Sequence, residues 1–313
     1  MTRSSAPEPS RDNDTADETA APHDTLPCVL SFNASDPTGA GGVVSDAMVI
    51  ASIGAHALPV ITGAYVRDTR EIMGHASLGD DAVAEQAGAV AEDIPLHAIK
   101  IGFAGSAEAV AAIAAFVSDY PAVPVVAYMP DLSWWSEDEI DNYLDAFREL
   151  LLPQVAVLVG NNTTLRHWLL PESTTDRRAR ATDLARAAGE LGVSYVLVTG
   201  IPAVGDQLGN VLASAQGELF SQSYERIDAG FLGAGDILSA ALTALIATGS
   251  ELTEAVAEAL QYLDQALDHG FRPGMGRAVA DRLFWAESDD ADSADDGAPP
   301  SFDIPHPFNE TKH

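Results

Sequence analysis

Apolar positions along this chain fall into two alternating rhythms. Short continuous runs rich in β-branched residues occur at 28–32, 57–62, 98–102, 123–128, 155–159 and 195–199. Each is too short for a stable helix and fits a strand buried on both faces. Between and after them, apolar residues recur at helical spacing over 43–54, 80–92, 106–119, 137–151, 178–191, 234–248 and 251–269. Strand and helix in alternation predict an α/β fold, a doubly wound and mostly parallel sheet with helices on both faces. Ligands of such sheets bind in the crevice at the carboxyl ends of the strands. Residues just beyond the runs therefore become candidates: Arg67, Phe103, Asn161 and the pair Thr199-Gly200.

Two stretches fall outside the rhythm. Residues 1–26 and 287–313 are rich in Ser, Pro, Asp and Ala with few large apolar groups, and are expected to be disordered acidic tails flanking one domain over 27–286. With 313 residues and 47% hydrophobic content, the chain can bury a full core. The net charge of −31 is partly the tails', with six acids against two bases in 1–27 and eight against one in 287–313, which leaves −20 on the body. Such a surface repels nucleic-acid phosphates and anionic membranes, so the expected partner is a small molecule. A single cysteine, Cys28, excludes an internal disulfide and a multi-cysteine zinc site. The N-terminus has no basic n-region and no apolar h-region before Thr25, which points to the cytoplasm. Phe231 to Thr248 is the most membrane-like stretch, but Asp236 and two glycines in its first turn mark a buried core helix.

Chemistry concentrates in two glycine-rich turns. The first, Asn33-Ala34-Ser35-Asp36-Pro37-Thr38-Gly39-Ala40-Gly41-Gly42, joins the first strand to the first helix. Its glycines let backbone approach a small ligand without a Cβ in the way. The second, Gly233-Ala234-Gly235-Asp236, opens the last small-residue helix, where unpaired amides and the helix dipole favour an anion. A carboxylate beside an anion hole is what phosphoryl transfer to a hydroxyl requires. Taken alone, Gly-x-Gly-Asp is an ordinary helix cap; its pairing with the first turn gives it the catalytic reading. Asp46 stands inside an apolar helical pattern, so it is either exposed or bound to something. Arg67 either pairs with Asp68 or Glu71 or reads an anion, and Asn161-Asn162-Thr163-Thr164 either caps a helix or helps organise a metal. Trp134-Trp135 is expected to anchor the loop before 137–151. No H-E-x-x-H spacing suggests zinc. A nicotinamide-binding reading of Gly39 to Val44 ranks below phosphoryl transfer, because the turn is too long for G-x-G-x-x-G.

At these residues the chain resembles the ribokinase-like superfamily, and within it the hydroxymethylpyrimidine and phosphomethylpyrimidine kinases of thiamine biosynthesis, with pyridoxal kinases as near relatives. The resemblance runs over about 28–285 through Ser35 to Gly42, Ser45-Asp46, Ile53-Gly54-Ala55, Pro59-Val60-Ile61-Thr62, Lys100-Ile101-Gly102, Leu151 to Val155, Val196-Leu197-Val198 and Gly233 to Asp236 with the helix after it. It implies ATP and Mg²⁺ as cofactors, with the metal travelling on the nucleotide rather than in a dedicated protein site. It implies Asp236 as base in a position where pyrimidine kinases often carry cysteine, an anion hole of Gly233, Ala234 and Gly235, and an acceptor site of Ser35, Gly41, Asp46, Arg67 and Phe103. Asp46 would bond the pyrimidine's ring nitrogen and amine. Asn161, Thr199 and Gly200 would organise nucleotide and metal. The acceptor implied is hydroxymethylpyrimidine or its phosphate; the alternatives are pyridoxal or pyridoxine, or a catalytically degenerate ligand-binding member, and a homodimer is an assembly left open. The chain departs from the family at Arg67 (usually Gln), Phe103 (commonly Met), Tyr128 (Asp), Thr164 (Glu) and Thr199-Gly200-Ile201 (Lys-Gly-Gly).

Overall fold

The computed structural model describes residues 26–170 and 179–286. The two tails expected to be disordered lie outside these residues but for Leu26, as does the start, at 178, of the helix expected over 178–191. A nine-stranded sheet runs through the middle in the order β3-β2-β1-β4-β5-β6-β7-β8-β9. Its central strands β1 (Cys28–Ser35), β2 (His56–Arg67), β4 (Ala98–Ile101), β5 (Val125–Met129), β6 (Val157–Asn161) and β7 (Tyr195–Pro202) are parallel. They are the six apolar runs, since a strand covered on both faces needs apolar side chains at every position.

The antiparallel edges are additions to the expected sheet. One edge is β3 (Ile72–Ser77), folded back on β2; the other is the hairpin β8 (Gln207–Ser214) and β9 (Gly217–Glu225). Their residues are mixed and half exposed, as in GELFSQSYE, so no continuous run announced them. A small pair, β10 (Phe231–Leu232) with β11 (Ala278–Val279), ties the second glycine turn to the end of the domain.

Helices cover both faces. On one side α2 (Asp80–Ala91), α3 (Ala107–Ser118), α4 (Glu137–Ala146), α5 (Asn162–Leu169) and α6 (Ala181–Glu190) bury Leu30, Phe32, Ile99, Ile101, Leu158 and Val198. On the other, α1 (Gly42–Ile53), α7 (Ala234–Ala247) and α8 (Leu252–Asp268) bury the alternate residues, Val29, Ala98, Val126, Val159 and Leu197. The helix expected over 137–151 stops at Ala146 and continues as a π turn, Phe147–Leu151, and a 3₁₀ turn, Leu152–Gln154. Pro153 cannot donate to a continuing helix, which accounts for the break. The small residues of α7, among them Ser239, Ala240, Ala241 and Ala244, are buried, and they let this helix lie close to the sheet and to α1.

Candidate active site

The two glycine turns meet at the carboxyl end of the sheet. Gly42 has φ +66°, and a Cβ there would collide with the Ala34 carbonyl; Gly233 has φ +73°, and a Cβ there would run into the Ala40 carbonyl. Both positions therefore require glycine on two counts, handedness and space. Asp36 shapes the first turn from inside, accepting from the Thr38 amide at 2.9 Å, the Thr38 hydroxyl at 2.7 Å and the Gly41 amide at 3.2 Å. Arg67 Nη1 reaches the same carboxylate at 3.3 Å. The ion pair is thus with Asp36, while Nε donates to the Asp68 backbone carbonyl at 3.4 Å and the guanidinium sits 6.0 Å above the Tyr65 ring.

Under the turns lies a largely buried charged cluster. Lys100, on β4 and fully buried, donates from Nζ to both Asp46 oxygens at 2.8 Å and to Asp236 Oδ1 at 2.9 Å. Asn33 joins the two acids, donating from Nδ2 to Asp46 Oδ2 at 3.0 Å and to Asp236 Oδ1 at 2.8 Å. Ser31, paired in register with Lys100, donates to Asp46 Oδ2 at 2.7 Å, and the Gly42 amide donates to Asp236 Oδ2 at 3.1 Å. Burial pushes the Asp46 carboxyl up to about 6; Lys100 opposes this, and the neighbouring Asp236 charge adds to it. Burial would raise Asp236 too, but Lys100, the Gly42 amide and Asn33 outweigh it and hold that carboxyl below its ordinary value. Asp236 is therefore an ionised acceptor at neutral pH.

Above the cluster opens a cavity of about 590 Å³. Gly233, Ala234, Gly235 and Asp236 line it, together with Gly41, Arg67, Asn161 and Thr199. Asn161 caps α5, accepting from the Thr163 amide at 2.9 Å, and pairs in register with Thr199 at the ends of β6 and β7. Four of the expected contacts stand elsewhere. Ser35 ends β1 at a bulge against β2, outside the lining, and Gly200 lies behind Asn161, whose amide nitrogen would be 2.6 Å from a Cβ there. Phe103 is buried one layer back, stacked on Tyr65 at 5.4 Å and edge-on to Trp134 and Trp135. The expected Asp46 contact with a pyrimidine requires correction: both oxygens of this fully buried carboxylate are occupied by Lys100, Ser31 and Asn33, and it does not face the cavity.

Several residues of the site are not placed in it by the sequence reading. Tyr65, Arg70, Tyr128, Trp134 and Arg277 line the cavity, and Lys100 holds its floor. For Lys100 a signal existed: a lysine inside a four-residue buried strand, in a chain with only one other lysine, must find carboxylates. No group of three or more His, Cys, Asp or Glu able to hold a metal occurs among the described residues. The carboxylates on the wall are Asp36 and Asp236, both already engaged, with Glu71 and Asp131.

Comparison with known proteins bears on this geometry. The sequence model described as phosphomethylpyrimidine kinase matches residues 36–281, which take in most of the first glycine turn, all of the second, and Asp46, Lys100 and Asp236. The chain belongs to this family. It is 28% identical over 265 residues to the hydroxymethylpyrimidine/phosphomethylpyrimidine kinase of Streptomyces coelicolor, covering 84% of this chain and 96% of that one. It is 30% identical over 260 residues to the multifunctional thiamine biosynthesis protein ThiED of Corynebacterium glutamicum, covering 80% of this chain but 33% of that longer protein. Among solved structures, an ADP complex of Bacillus subtilis pyridoxal kinase superposes with TM-score 0.75 at 20% identity, over 84% of this chain and all of that one. The phosphomethylpyrimidine kinase of Clostridium difficile gives 0.62 at 23%, over 76% and 100%. These superpositions establish the ribokinase-like α/β fold. No described helix is long and apolar enough to cross a membrane.

Proposed function

We propose that this family member transfers the γ-phosphate of ATP to the hydroxymethyl group of hydroxymethylpyrimidine, or to the phosphate already on it. The observation that carries this is Asp236: an ionised carboxylate, held by Lys100 and Asn33, on the wall of a cavity whose next residues are the first turn of α7. Asp236 accepts the proton of an acceptor hydroxyl, while the Gly233 to Gly235 backbone faces the phosphoryl oxygens as charge develops on them. When the acceptor is a phosphate monoester its oxygen is already anionic and the base matters less. Arg67, Arg70 and Arg277 put three cations on the same wall of a chain whose net charge is −31, which suits a phosphorylated acceptor. Tyr65 and Trp134 offer aromatic faces to a heterocycle. Mg²⁺ would enter on the triphosphate and offset part of its charge; the engaged state of Asp36 and Asp236 fits a metal carried by the nucleotide. Asn161 and Thr199, which line the same cavity, would meet that end of the nucleotide. ATP-dependent chemistry and a free Cys28 agree with a cytoplasmic enzyme, and sedimentation would test whether it is a homodimer.

The test is ADP release with hydroxymethylpyrimidine, its phosphate, pyridoxal and pyridoxine as acceptors. Turnover is expected with one or both pyrimidines, and Asp236→Asn should lower kcat on the hydroxyl acceptor by roughly 10²–10⁴-fold with the fold intact. Turnover of the pyridine acceptors alone would replace the proposed substrate, and an undiminished rate in Asp236→Asn would remove the base.

A further inference from the structure

Tyr128 occupies the position where the family resemblance leads one to expect an aspartate. It is the penultimate residue of β5, in register with Val159 of β6, and it lines the cavity beside Gly233, Ala234, Gly235 and Asp236. Its ring lies directly against Gly235: a Cβ at that position would collide with Cζ, Cε2 and the hydroxyl oxygen of the tyrosine. The glycine at 235 thus makes room for an aromatic ring as well as for a ligand. The phenol makes no hydrogen bond to another described residue, although its ring is held on one side by the α7 turn. Burial, and after it the negative charges of Asp236 and Asp131, keep its ionisation well above the ordinary tyrosine range, so the group is O–H throughout the physiological range. An aspartate here would set a second negative charge beside Asp236, in the place where anionic oxygens must gather.

We propose that the Tyr128 hydroxyl is an additional hydrogen-bond donor to the phosphoryl oxygens bound at the α7 turn, a neutral donor standing where a carboxylate would need a metal between itself and phosphate. The role rests on the kinase reading of this cavity and deepens it. Packing against Gly235 fixes the ring before ligand arrives, so the donor is oriented in advance, the condition under which such groups stabilise developing charge.

Tyr128→Phe separates the hydroxyl from the ring, because phenylalanine keeps the contact with Gly235 and deletes only the donor. Calorimetric titration with ATP, AMP and inorganic tripolyphosphate reads the effect without any acceptor. The variant is expected to bind ATP and tripolyphosphate roughly 10–150-fold more weakly, the scale of one hydrogen bond to a charged group, with AMP affinity and the melting temperature of the free protein unchanged. Equal or tighter binding of tripolyphosphate by Tyr128→Phe would overturn the proposal and make the ring a packing element only. If no acceptor is turned over but tripolyphosphate affinity still falls in the variant, the proposed substrate is wrong and the donor role stands. If the wild-type protein binds neither ATP nor tripolyphosphate, both fall.

Discussion

The floor and the wall of this site are built on opposite terms. On the floor, Lys100, Asp46, Asn33 and Ser31 satisfy one another within 2.7–3.0 Å and are shut off from solvent. On the wall, Tyr128 carries a hydroxyl without a partner among the described residues, and Arg70 and Arg277 are exposed. Asp236 belongs to both, with its Oδ1 tied downward and its side chain 17% exposed to the cavity. The floor fixes the charge and direction of one carboxylate; the wall offers the groups that a ligand would complete. Changes to the floor should therefore appear in folding and in the protonation of Asp236, and changes to the wall in binding.

The sharpest break of that division is Lys100→Met. It leaves two carboxylates in the interior with no cation, a change that costs about 3–5 kcal/mol when one partner of a buried pair is removed. The expected result in denaturant unfolding is a loss of that order, together with a rise in the Asp236 carboxyl's pKa that carries the acid limb of the pH-rate profile upward. A variant as stable as the parent, with an unmoved acid limb, would show that the lysine is not what holds Asp236 ionised.

A smaller effect is expected on the wall. Arg67→Gln removes one of several groups on Asp36, which keeps its bonds from Thr38 and Gly41, so folding should change little. Binding should change selectively: phosphorylated acceptors are expected to weaken by about 1.5–3 kcal/mol, the range for a lost charge-assisted hydrogen bond, and neutral acceptors by much less. Equal losses for both acceptor classes would move Arg67 from the wall to the scaffold.

How far the sequence could be read follows the same line. The two-faced parallel strands and the glycine turns are written in contiguous residues, so their existence and order were legible from Cys28 to Ala247. Edge strands β3, β8 and β9 were not, because one-sided burial leaves a mixed pattern without a run. Helix α5 escaped because its eight residues, NTTLRHWL, bury only Leu165 and Trp168. The floor was hidden for a different reason. Asp46, Lys100 and Asp236 are 54 and 136 residues apart, and their common fate depends on β4 pairing with β1, over which α1 runs, and lying under α7. Sequence reasoning recognised that a carboxylate at Asp46 needed a partner, and the family resemblance supplied a ligand where the fold supplies Lys100. Phe103 was likewise assigned to the acceptor, when the residue it backs, Tyr65, is the one that reaches the cavity.

The mildest prediction concerns Asp46 and acid. Its folded pKa of about 6 lies above the ordinary aspartate value of 3.8, so between those values the native state binds a proton that the unfolded chain does not. Stability contributed through this group therefore rises as pH falls from about 6 toward 3.8, and falls again as pH rises through that window. Asp236 behaves oppositely, since its lowered pKa means that its contribution is lost only on acidification through and below 3.8. Between pH 5 and 7 the Asp46 term acts almost alone within the cluster. In Asp46→Asn the acidic titration disappears while Lys100 keeps Asp236 as its counter-charge. Unfolding free energies measured across pH 5–7 should accordingly show a slope difference between parent and variant of at most one proton, with the parent gaining relative stability toward the acid end. Parallel slopes across pH 5–7, with the parent losing stability relative to Asp46→Asn only as the pH falls toward and below 3.8, would mean that Lys100 outweighs burial at Asp46.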